Sequence, residues 1–206
     1  MRLPNAAHES GPWRIRKIVP DFRLEDVWAL PLNGRPEEFR SALEMVAGFD
    51  PADIEFAPAR ALWQMRDRLG AWFGLDRIST AADGHPRDSL AARLPDDLRG
   101  TAADVTFRAT PFTPLYRTDD EFAAEVSNRT MHGVMHLAWV DQGGGRYQGQ
   151  MAVYVKPRGA FGTGYMALIR PFRHRVVYPA LMRQFERAWN ARGAPQGGLP
   201  RRPRPA

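Results

Sequence analysis

Apolar and polar residues alternate along several stretches, and each stretch predicts a β-strand because successive side chains on a strand point to opposite faces. The stretches are "DVWALPL" (26–32), "DVTFRAT" (104–110), "FTPLYRT" (112–118), "EFAAEVSN" (121–128), "MHGVMHLAWV" (131–140) and "YQGQMAVYVKP" (147–157). The last two flank the glycine-rich "DQGGGR" and therefore predict a β-hairpin. Pro111 and Pro114 cannot donate to a ladder, so their strands belong at an edge or a bulge of the sheet.

One of these stretches is ambiguous. In "EFAAEVSN" the Ala and Glu residues favour a helix, while the alternation of Phe122, Ala124 and Val126 favours a strand. We adopt the strand.

A period of three to four residues predicts helices elsewhere in the chain. The helical stretches are "PEEFRSALEMVAGF" (36–49), "APARALWQMRDRLGAWFG" (57–74) and a long final one over 159–192, with one short turn in "RDSLAARLPDDLRG" (87–100) that stops near Pro95. Pro171 and Pro179 lie inside the final stretch, where a proline costs ~3 kcal/mol or more. We therefore expect a kink or a break there.

The order of these elements predicts an α+β fold of the helix-grip kind. A curved antiparallel sheet of about six to seven strands would wrap around the long C-terminal helix, with two helices after the first strand and a cavity between sheet and helix. We expect one domain over residues 12–190, with flexible tails at 1–11 and 192–206. The last segment is rich in Pro, Gly and Arg and has little apolar surface to bury.

The facing of two histidines depends on the register of the hairpin. If Val140 pairs with Tyr147, His136 lies opposite Met151, and His132 also points to the apolar side. A slip of one residue would turn both to the opposite face, as surface histidines. The histidines thus line a cavity, or pack in the core, or lie at the surface.

The spacing of His132 and His136 is that of two metal ligands on a helix, but their strand setting argues against a metal site. Residues four apart lie ~13 Å apart on a strand and about 6 Å apart on a helix. One zinc ion with bonds of ~2 Å cannot bridge the longer distance. The glutamate of a zinc-binding HExxH helix is also missing, so we predict no metal.

Composition narrows the class of protein. The 206 residues are 44% hydrophobic, enough for one core, and the absence of cysteine excludes disulfides and thiolate chemistry. The first residues lack the apolar run of a signal peptide, and no stretch has the ~20 apolar residues of a membrane span. We expect a bacterial, cytoplasmic protein with no membrane span.

The net charge of +6 does not predict a nucleic-acid partner, because it is concentrated at one end. Four arginines lie at or after Arg192 with no acid among them, which leaves the body of the chain near +2. The glycines of "GAFGTG" (159–164) match neither nucleotide-binding spacing. Anion binding at the N-terminus of the last helix stays open, and we predict no cofactor.

Five segments resemble a known family. They are "PWRIRKIVPDFRLEDVWAL", "LPDDLR", "EVSNRTMHGVMHLAWV", "GQMAVYVKP" and "YMALIRPFRHRVVYPALMRQFERAW". Together they resemble the uncharacterised domain-of-unknown-function family 2867, over roughly residues 12 to 190. We associate this family with the START and polyketide-cyclase-like (SRPBCC) superfamily, which implies the helix-grip fold but no specific chemistry.

These observations support three hypotheses. The first is a protein that binds a small, mostly apolar molecule in a cavity between the sheet and the last helix, oriented by a few polar groups. The predicted ligand-binding residues are His132, His136, Tyr154, Tyr165, His174 and Tyr178. The second is a cyclase- or dehydratase-like enzyme in which a cavity histidine is the general acid or base. The third is a protein-interaction domain that uses the hairpin edge or the arginine-rich tail.

Overall fold

The computed structural model describes residues 1–50, 89–128 and 130–192. Within them, six strands form one antiparallel sheet in the order β1-β2-β6-β5-β4-β3. The strands are β1 (Arg2–Leu3), β2 (Arg23–Gly34), β3 (Thr113–Arg117), β4 (Glu121–Ser127), β5 (Met131–Asp141) and β6 (Tyr147–Pro157). The predicted hairpin is β5–β6, and the strand chosen for "EFAAEVSN" is β4.

Helices precede, interrupt and follow the strands, which confirms the α+β class. They are α1 (Ala6–Glu9), α2 (Ile15–Ile18), α3 (Phe39–Ala47), α4 (Gly159–Phe172) and α5 (Tyr178–Arg192), with 3₁₀ turns at Pro36–Glu38, Leu90–Arg93 and Asp96–Leu98. None of the helices in the described ranges is long and apolar enough to cross a membrane.

One face of the sheet, the helix face, is covered by α3 and α5. Both helices present apolar residues at spacings of three and four, which is the pattern of a helix with one buried side. From the helices these are Phe39, Leu43, Val46, Tyr178, Met182, Phe185 and Trp189, and from the strands Trp28, Leu30, Leu32, Phe122, Ala124, Met135, Leu137, Trp139 and Met151. The indole N–H groups of Trp139 and Trp189 donate to the carbonyls of Arg35 and Asn33, each at 2.9 Å.

The opposite face, the N-terminal face, is covered by the segment around α2 and by the 3₁₀ turns between residues 90 and 98. The covering residues are Trp13, Ile15, Ile18, Leu90, Leu94 and Leu98, and they pack on Val27, Ala123, Val134, Ala138, Ala152 and Tyr154. Because both faces are covered, every residue of β5 from His132 to Trp139 is buried. The sheet therefore has no solvent-exposed side at its centre.

The predicted register of the hairpin is wrong by one residue. Asp141, not Val140, pairs with Tyr147, and His136 lies beside Ala152. The glycines at 143–145 have positive φ angles and form the loop whose length sets the pairing of Asp141 with Tyr147. Both histidines consequently point to the N-terminal face, away from the last helix. They are buried there because a second layer covers that face.

The final helix breaks where its prolines predict. Pro171 lies in the last turn of α4, and the chain continues through a π-helical turn, Arg173–Val177, into α5, whose second residue is Pro179. A proline removes one intrahelical hydrogen bond, and a wider turn accommodates the loss. This break places a short run of polar residues beside the helix face.

The glycine-rich start of α4 has a packing reason. A Cβ atom on Gly162 would lie 2.2 Å from the carbonyl oxygen of Thr130, so only glycine permits this approach of the helix to the β4–β5 connection. Gly159 has a φ of 67°, which also favours glycine.

Four further expectations have different outcomes. The strand predicted over 104–110 is wrong, since the only strand in this part of the described chain is β3. The helix predicted over 57–74 and the tail beyond residue 192 lie outside the described residues. Residues 1–11, expected to be a loose extension, contain β1 and α1.

Candidate functional site

Five of the six predicted ligand-binding residues divide between the two faces of the sheet. His132, His136 and Tyr154 lie on the N-terminal face, whereas His174 lies in the π-helical turn and Tyr178 at the start of α5. These five do not form one site, because β5 and β6 separate the two groups. The sixth, Tyr165, lies in α4, and its side chain is outside the described part of the structure. The part of all six residues in ligand binding stays a prediction.

On the N-terminal face, Glu121 is a buried carboxylate with a full set of donors. It is 3% exposed and accepts hydrogen bonds from Nε2 of His136 at 2.9 Å, from the hydroxyl of Tyr116 at 3.1 Å and from the backbone N–H of Arg14 at 3.0 Å. A carboxylate only accepts, so Nε2 of His136 carries the proton. The carboxylate thereby fastens the segment before α2 to the centre of the sheet.

Glu125, four residues further along β4, has a similar set of hydrogen-bond donors. It accepts from Nε2 of His132 at 2.7 Å, from the hydroxyl of Ser89 at 2.6 Å and from the N–H of Leu90 at 3.1 Å. Burial alone would raise the pKa of Glu125, but the hydrogen bonds from His132 and Ser89 hold it below its ordinary value. This second carboxylate fastens the 3₁₀ turn to the sheet.

The two glutamate–histidine pairs follow from the pairing of β4 with β5. Glu121 lies opposite Ala138 and Glu125 opposite Val134, and in each case the bonded histidine lies two residues before that partner. Diagonal neighbours of this kind are within reach of long side chains. The histidines lie on a strand, as predicted, and each binds its own glutamate. Among the described residues, no three His, Asp or Glu side chains are grouped as metal ligands.

A cluster of rings closes this face from solvent. The His8 ring lies 5.0 Å from that of His136, and Trp13 lies 5.8 Å from His136. Nδ1 of His8 donates to the side-chain oxygen of Gln150 at 2.8 Å. Burial, and then the neighbouring His136, lower the pKa of His8 to about 4; burial also lowers the pKa of His136. Both imidazoles are therefore neutral at physiological pH.

On the helix face, five residues form a second group, which we call the helix-face cluster: Asp26, Trp28, Arg173, His174 and Tyr178. Asp26 is fully buried, and its Oδ2 accepts from Nη2 of Arg173. Nε2 of His174 lies 2.5 Å from Oδ1 of Asp26, so the imidazole and the carboxylate are in direct contact. The strand places Asp26 and Trp28 side by side, and the π-helical turn brings Arg173 and His174 over them.

Aromatic rings form the wall of the helix-face cluster. The Trp28 and Tyr178 rings lie 4.7 Å apart, His174 stacks on Tyr178 at 6.4 Å, and the guanidinium of Arg173 lies 5.7 Å from the Tyr178 ring. Burial raises the pKa of Tyr178 to about 12. Burial lowers the pKa of His174, against an opposing effect of Asp26. Burial alone would also lower the pKa of Arg173, but Tyr178 and Asp26 raise it.

Two buried N–H groups of the helix-face cluster have no hydrogen-bond acceptor. They are Nε1 of Trp28 and Nε of Arg173, whereas Oδ1 of Asp26 and Nε2 of His174 lie 2.5 Å from each other. Leaving one such atom unpaired costs ~1–3 kcal/mol, so this concentration is unfavourable in the protein alone. On the N-terminal face the unpartnered atoms are ring nitrogens of neutral side chains (His8, Trp13 and His136), and no charged group lacks a partner.

Two surface clefts lie away from both groups. One, of about 400 Å³, lies between α3 and the segment around Asp104, and the other, of about 630 Å³, lies at the tip of the β5–β6 hairpin. Neither cleft is lined by any of the five predicted residues whose side chains are described. Within the described residues, the helix-face cluster thus joins two predicted ligand-binding residues to a charged group, Arg173, that has an unpaired buried donor.

Sequence reasoning missed the acidic members of both groups, although a signal was present. Asp26 has the same strand parity as Trp28, Leu30 and Leu32, which is unusual for a charged residue. Glu121 and Glu125 are four residues apart on one strand, as are the two histidines on the next. A carboxylate on an otherwise apolar strand face is a reason to look for its partner.

The protein-family comparison returns a match over most of the chain. A family model described as "Protein of unknown function (DUF2867)" matches residues 18–180. Neither the curated proteins nor the solved structures contain a significant match to this chain.

Proposed function

Because the chain belongs to the DUF2867 family, for which no function is described, we propose a function from its own geometry: it binds a small, mostly apolar molecule at the helix-face cluster. Two predicted ligand-binding residues, His174 and Tyr178, belong to this cluster, together with Asp26, Trp28 and Arg173.

The observation that carries this proposal is the pair of buried N–H groups on Trp28 and Arg173 that have no acceptor, beside the buried contact of Asp26 with His174. Native proteins pair nearly all such atoms, and each exception needs an explanation, such as a catalytic role or a bound water or ion. A ligand with one polar end would supply the missing partners. The π-helical turn supports the same reading, since interruptions of this kind occur frequently at functional sites.

The neighbouring rings suit the apolar part of such a ligand. Trp28 and Tyr178 offer flat apolar surfaces next to the polar atoms. Phe172, which directly precedes the π-helical turn, is 51% exposed and is one of two exposed large apolar side chains among the described residues. Apolar walls with a few polar groups are the usual composition of a small-molecule site.

A ligand panel tests this proposal. Aromatic polyketides, sterols and fatty acids are added to the purified protein, and the melting temperature is recorded; we expect at least one compound to raise it. His174→Ala should weaken that compound by about tenfold, as expected for the loss of ~1.4 kcal/mol of contact energy. The matched control is His132→Gln, a histidine on the opposite face. A panel without a single binder, or equal losses in both variants, would contradict the proposal.

A second function is favoured by one specific observation, the carboxylate of Asp26 beside the imidazole of His174. We propose as the alternative that the protein is a cyclase- or dehydratase-like enzyme in which Asp26 orients His174 as the general acid or base. His132 and His136 also contact carboxylates, but both are buried under the N-terminal layer. His174 is the best placed of the three for contact with a substrate.

Proton exchange distinguishes this alternative from binding alone. A β-diketone that the panel shows to bind is dissolved in D₂O with the protein, and deuterium uptake at its central carbon is followed by NMR. An enzyme of this kind accelerates the uptake, and His174→Gln abolishes the acceleration. Unaccelerated exchange of a bound diketone would leave a binding protein.

We propose the helix-grip arrangement on the same grounds. The six-stranded antiparallel sheet and the C-terminal helix on one of its faces are compatible with it, and with membership of the START and polyketide-cyclase-like superfamily. The second layer on the N-terminal face would be an addition to that plan. An experimental structure with a ligand between α5 and the sheet would support the arrangement.

A further inference from the structure

The cationic groups around Asp26 come from two distant parts of the chain. Arg173 lies in the π-helical turn, and Arg2 lies in β1 at the edge of the sheet. Nη2 of Arg2 is 3.6 Å from Oδ1 of Asp26, and its side chain is 51% exposed. β1 therefore places the half-exposed guanidinium group of Arg2 at the rim of the helix-face cluster.

The position of Arg2 is fixed by backbone pairing. Arg2 lies opposite Trp28 in the β1–β2 ladder, and the N–H of Ala29 donates to the carbonyl of Met1 at 2.8 Å. Cross-strand partners place their side chains on the same face of a sheet. Arg2 consequently shares the helix face with Trp28 and Asp26.

The charges of the cluster do not balance. Asp26 is one carboxylate against the two guanidinium groups of Arg2 and Arg173. Glu25 also acts on Arg173, but it is paired with Arg23 at 3.2 Å, so this pair adds no net charge. Oδ2 of Asp26 is already bonded to Arg173, while Nε of Arg173 is buried without an acceptor. The cluster thus has an excess positive charge and a donor that lacks an anion.

From this imbalance we infer that the ligand of the helix-face cluster is an amphiphilic monoanion, an apolar body with a single carboxylate that Arg2 and Arg173 bind together. This inference rests on the proposed binding function and narrows its ligand class. Guanidinium groups form short, charge-assisted hydrogen bonds to carboxylates, which are about twice as strong as neutral ones. The apolar body would lie along Trp28 and Tyr178.

Arg2 lies outside the residues that match the family model, which begin at residue 18. The contribution of β1 to the anion site would therefore be a property of this chain's N-terminal segment. Asp26, Arg173 and His174 lie inside the matched range. A substitution of Arg2 thus changes the contact with the anion and leaves in place Trp28 and Tyr178, which contact the apolar body of the ligand.

The test uses three probes with one hydrocarbon chain: dodecanoate, dodecanol and dodecylamine, each below its micelle concentration, measured by calorimetry on the full chain. We expect dodecanoate to bind at least tenfold more tightly than dodecanol, and dodecylamine to bind most weakly. Arg2→Gln should reduce the preference for the carboxylate severalfold. Arg146→Gln removes the same charge at the hairpin tip, about 20 Å along β6 from the partner of Asp26, and should keep the preference.

Arg173 needs a paired variant, since Arg173→Gln alone would leave a buried carboxylate without its cation. Asp26→Asn combined with Arg173→Gln keeps the net charge and replaces the ion pair by two amides. We expect this double variant to lose the carboxylate preference while its melting temperature reports that it is folded. If it does not fold, the Arg2→Gln and Arg146→Gln pair decides the question.

Each outcome is distinguishable. Equal binding of dodecanoate and dodecanol, or tighter binding of dodecylamine, overturns the monoanion inference and leaves the binding function intact. A carboxylate preference that survives in Arg2→Gln and in the double variant also overturns it. No binding of any probe at millimolar concentration counts against both the inference and the proposed function.

Discussion

Both faces of the sheet bury a carboxylate next to a histidine, and they differ in how the charged atoms are matched. On the N-terminal face, Glu121 accepts from three separate residues and is sealed under Trp13. On the helix face, Asp26 contacts Arg173 and His174, but Arg173 and Trp28 each have a buried N–H without an acceptor. The same residue types thus serve two different purposes.

The difference shows that a buried histidine–carboxylate pair is not by itself a functional site. Where every charged atom has a partner, the pair stabilises the contact between two layers, as Glu121 does between the sheet and the segment before α2. Where charged atoms remain unmatched near solvent, a ligand can complete the set. The two faces differ in whether each buried charged group has all of its hydrogen-bond partners, and not in residue type.

The largest expected effect is on the N-terminal face. Glu121→Ala removes the acceptor of three buried donors and should lower the free energy of unfolding by ~3–5 kcal/mol, the range for breaking a buried charged network. Urea denaturation followed by tryptophan fluorescence measures this change. Glu121→Gln is the milder control, because its amide oxygen still accepts. A loss below about 1 kcal/mol would show that the network is not a stabilising one.

The next effect is a dependence of stability on pH. The pKa of His8 is lowered from an ordinary 6.5 to about 4, so the unfolded chain binds its proton first as the pH falls. Stability should be complete above pH 6.5 and should decline by up to ~3 kcal/mol between pH 6.5 and pH 4. His136, whose pKa is also lowered, adds in the same direction.

His8→Asn provides the control for this pH dependence. Its amide N–H can replace Nδ1 as the donor to Gln150, but it does not titrate. Stability measured by urea denaturation at several pH values should therefore decline less steeply in this variant. An unchanged slope would mean that His8 does not carry the effect.

A smaller effect compares a matched with an unmatched indole. Trp139→Phe removes an N–H that donates to Arg35, whereas Trp28→Phe removes one without a partner. Both variants lose a similar ring volume, so their difference isolates the hydrogen bond. We expect Trp139→Phe to be the more destabilising by about 1 kcal/mol in thermal denaturation. The opposite order would mean that the Trp28 indole has a partner in solution.

The smallest effect is expected for His132→Gln. The glutamine amide can still donate to Glu125, so the free energy of unfolding should change by less than about 1 kcal/mol. Ligand affinity should not change, because His132 faces away from the helix-face cluster. A lower affinity in calorimetry would place the binding site on the N-terminal face and reverse the comparison.

Much of the architecture was predictable from the sequence. Alternation marked the hairpin, β2, β3 and β4, and helical spacing with Pro171 marked the broken final helix. The stretch 104–110 misled because its alternation is not accompanied by pairing in the structure. Local pattern defines an element only when a neighbouring strand completes its hydrogen bonds.

Less of the candidate site was predictable. His174 and Tyr178 were identified from their residue types, but their partners Asp26 and Arg173 lie 147 residues apart in the chain and meet only through the fold. The predicted register of the hairpin was wrong by one residue because its glycine loop permits more than one loop length. That single residue decided which face His132 and His136 occupy.

The sequence by itself determined the strands from β2 to β6, the helix α3 and the break of the final helix at Pro171, because these depend on the periodicity of neighbouring residues. Only the tertiary structure decided which face of β5 meets which layer. A strand with one polar side has its orientation fixed by water, but β5 is buried on both sides from His132 to Trp139. Its orientation therefore depends on partners that are distant in the chain, and so does the division of its histidines from the helix-face cluster.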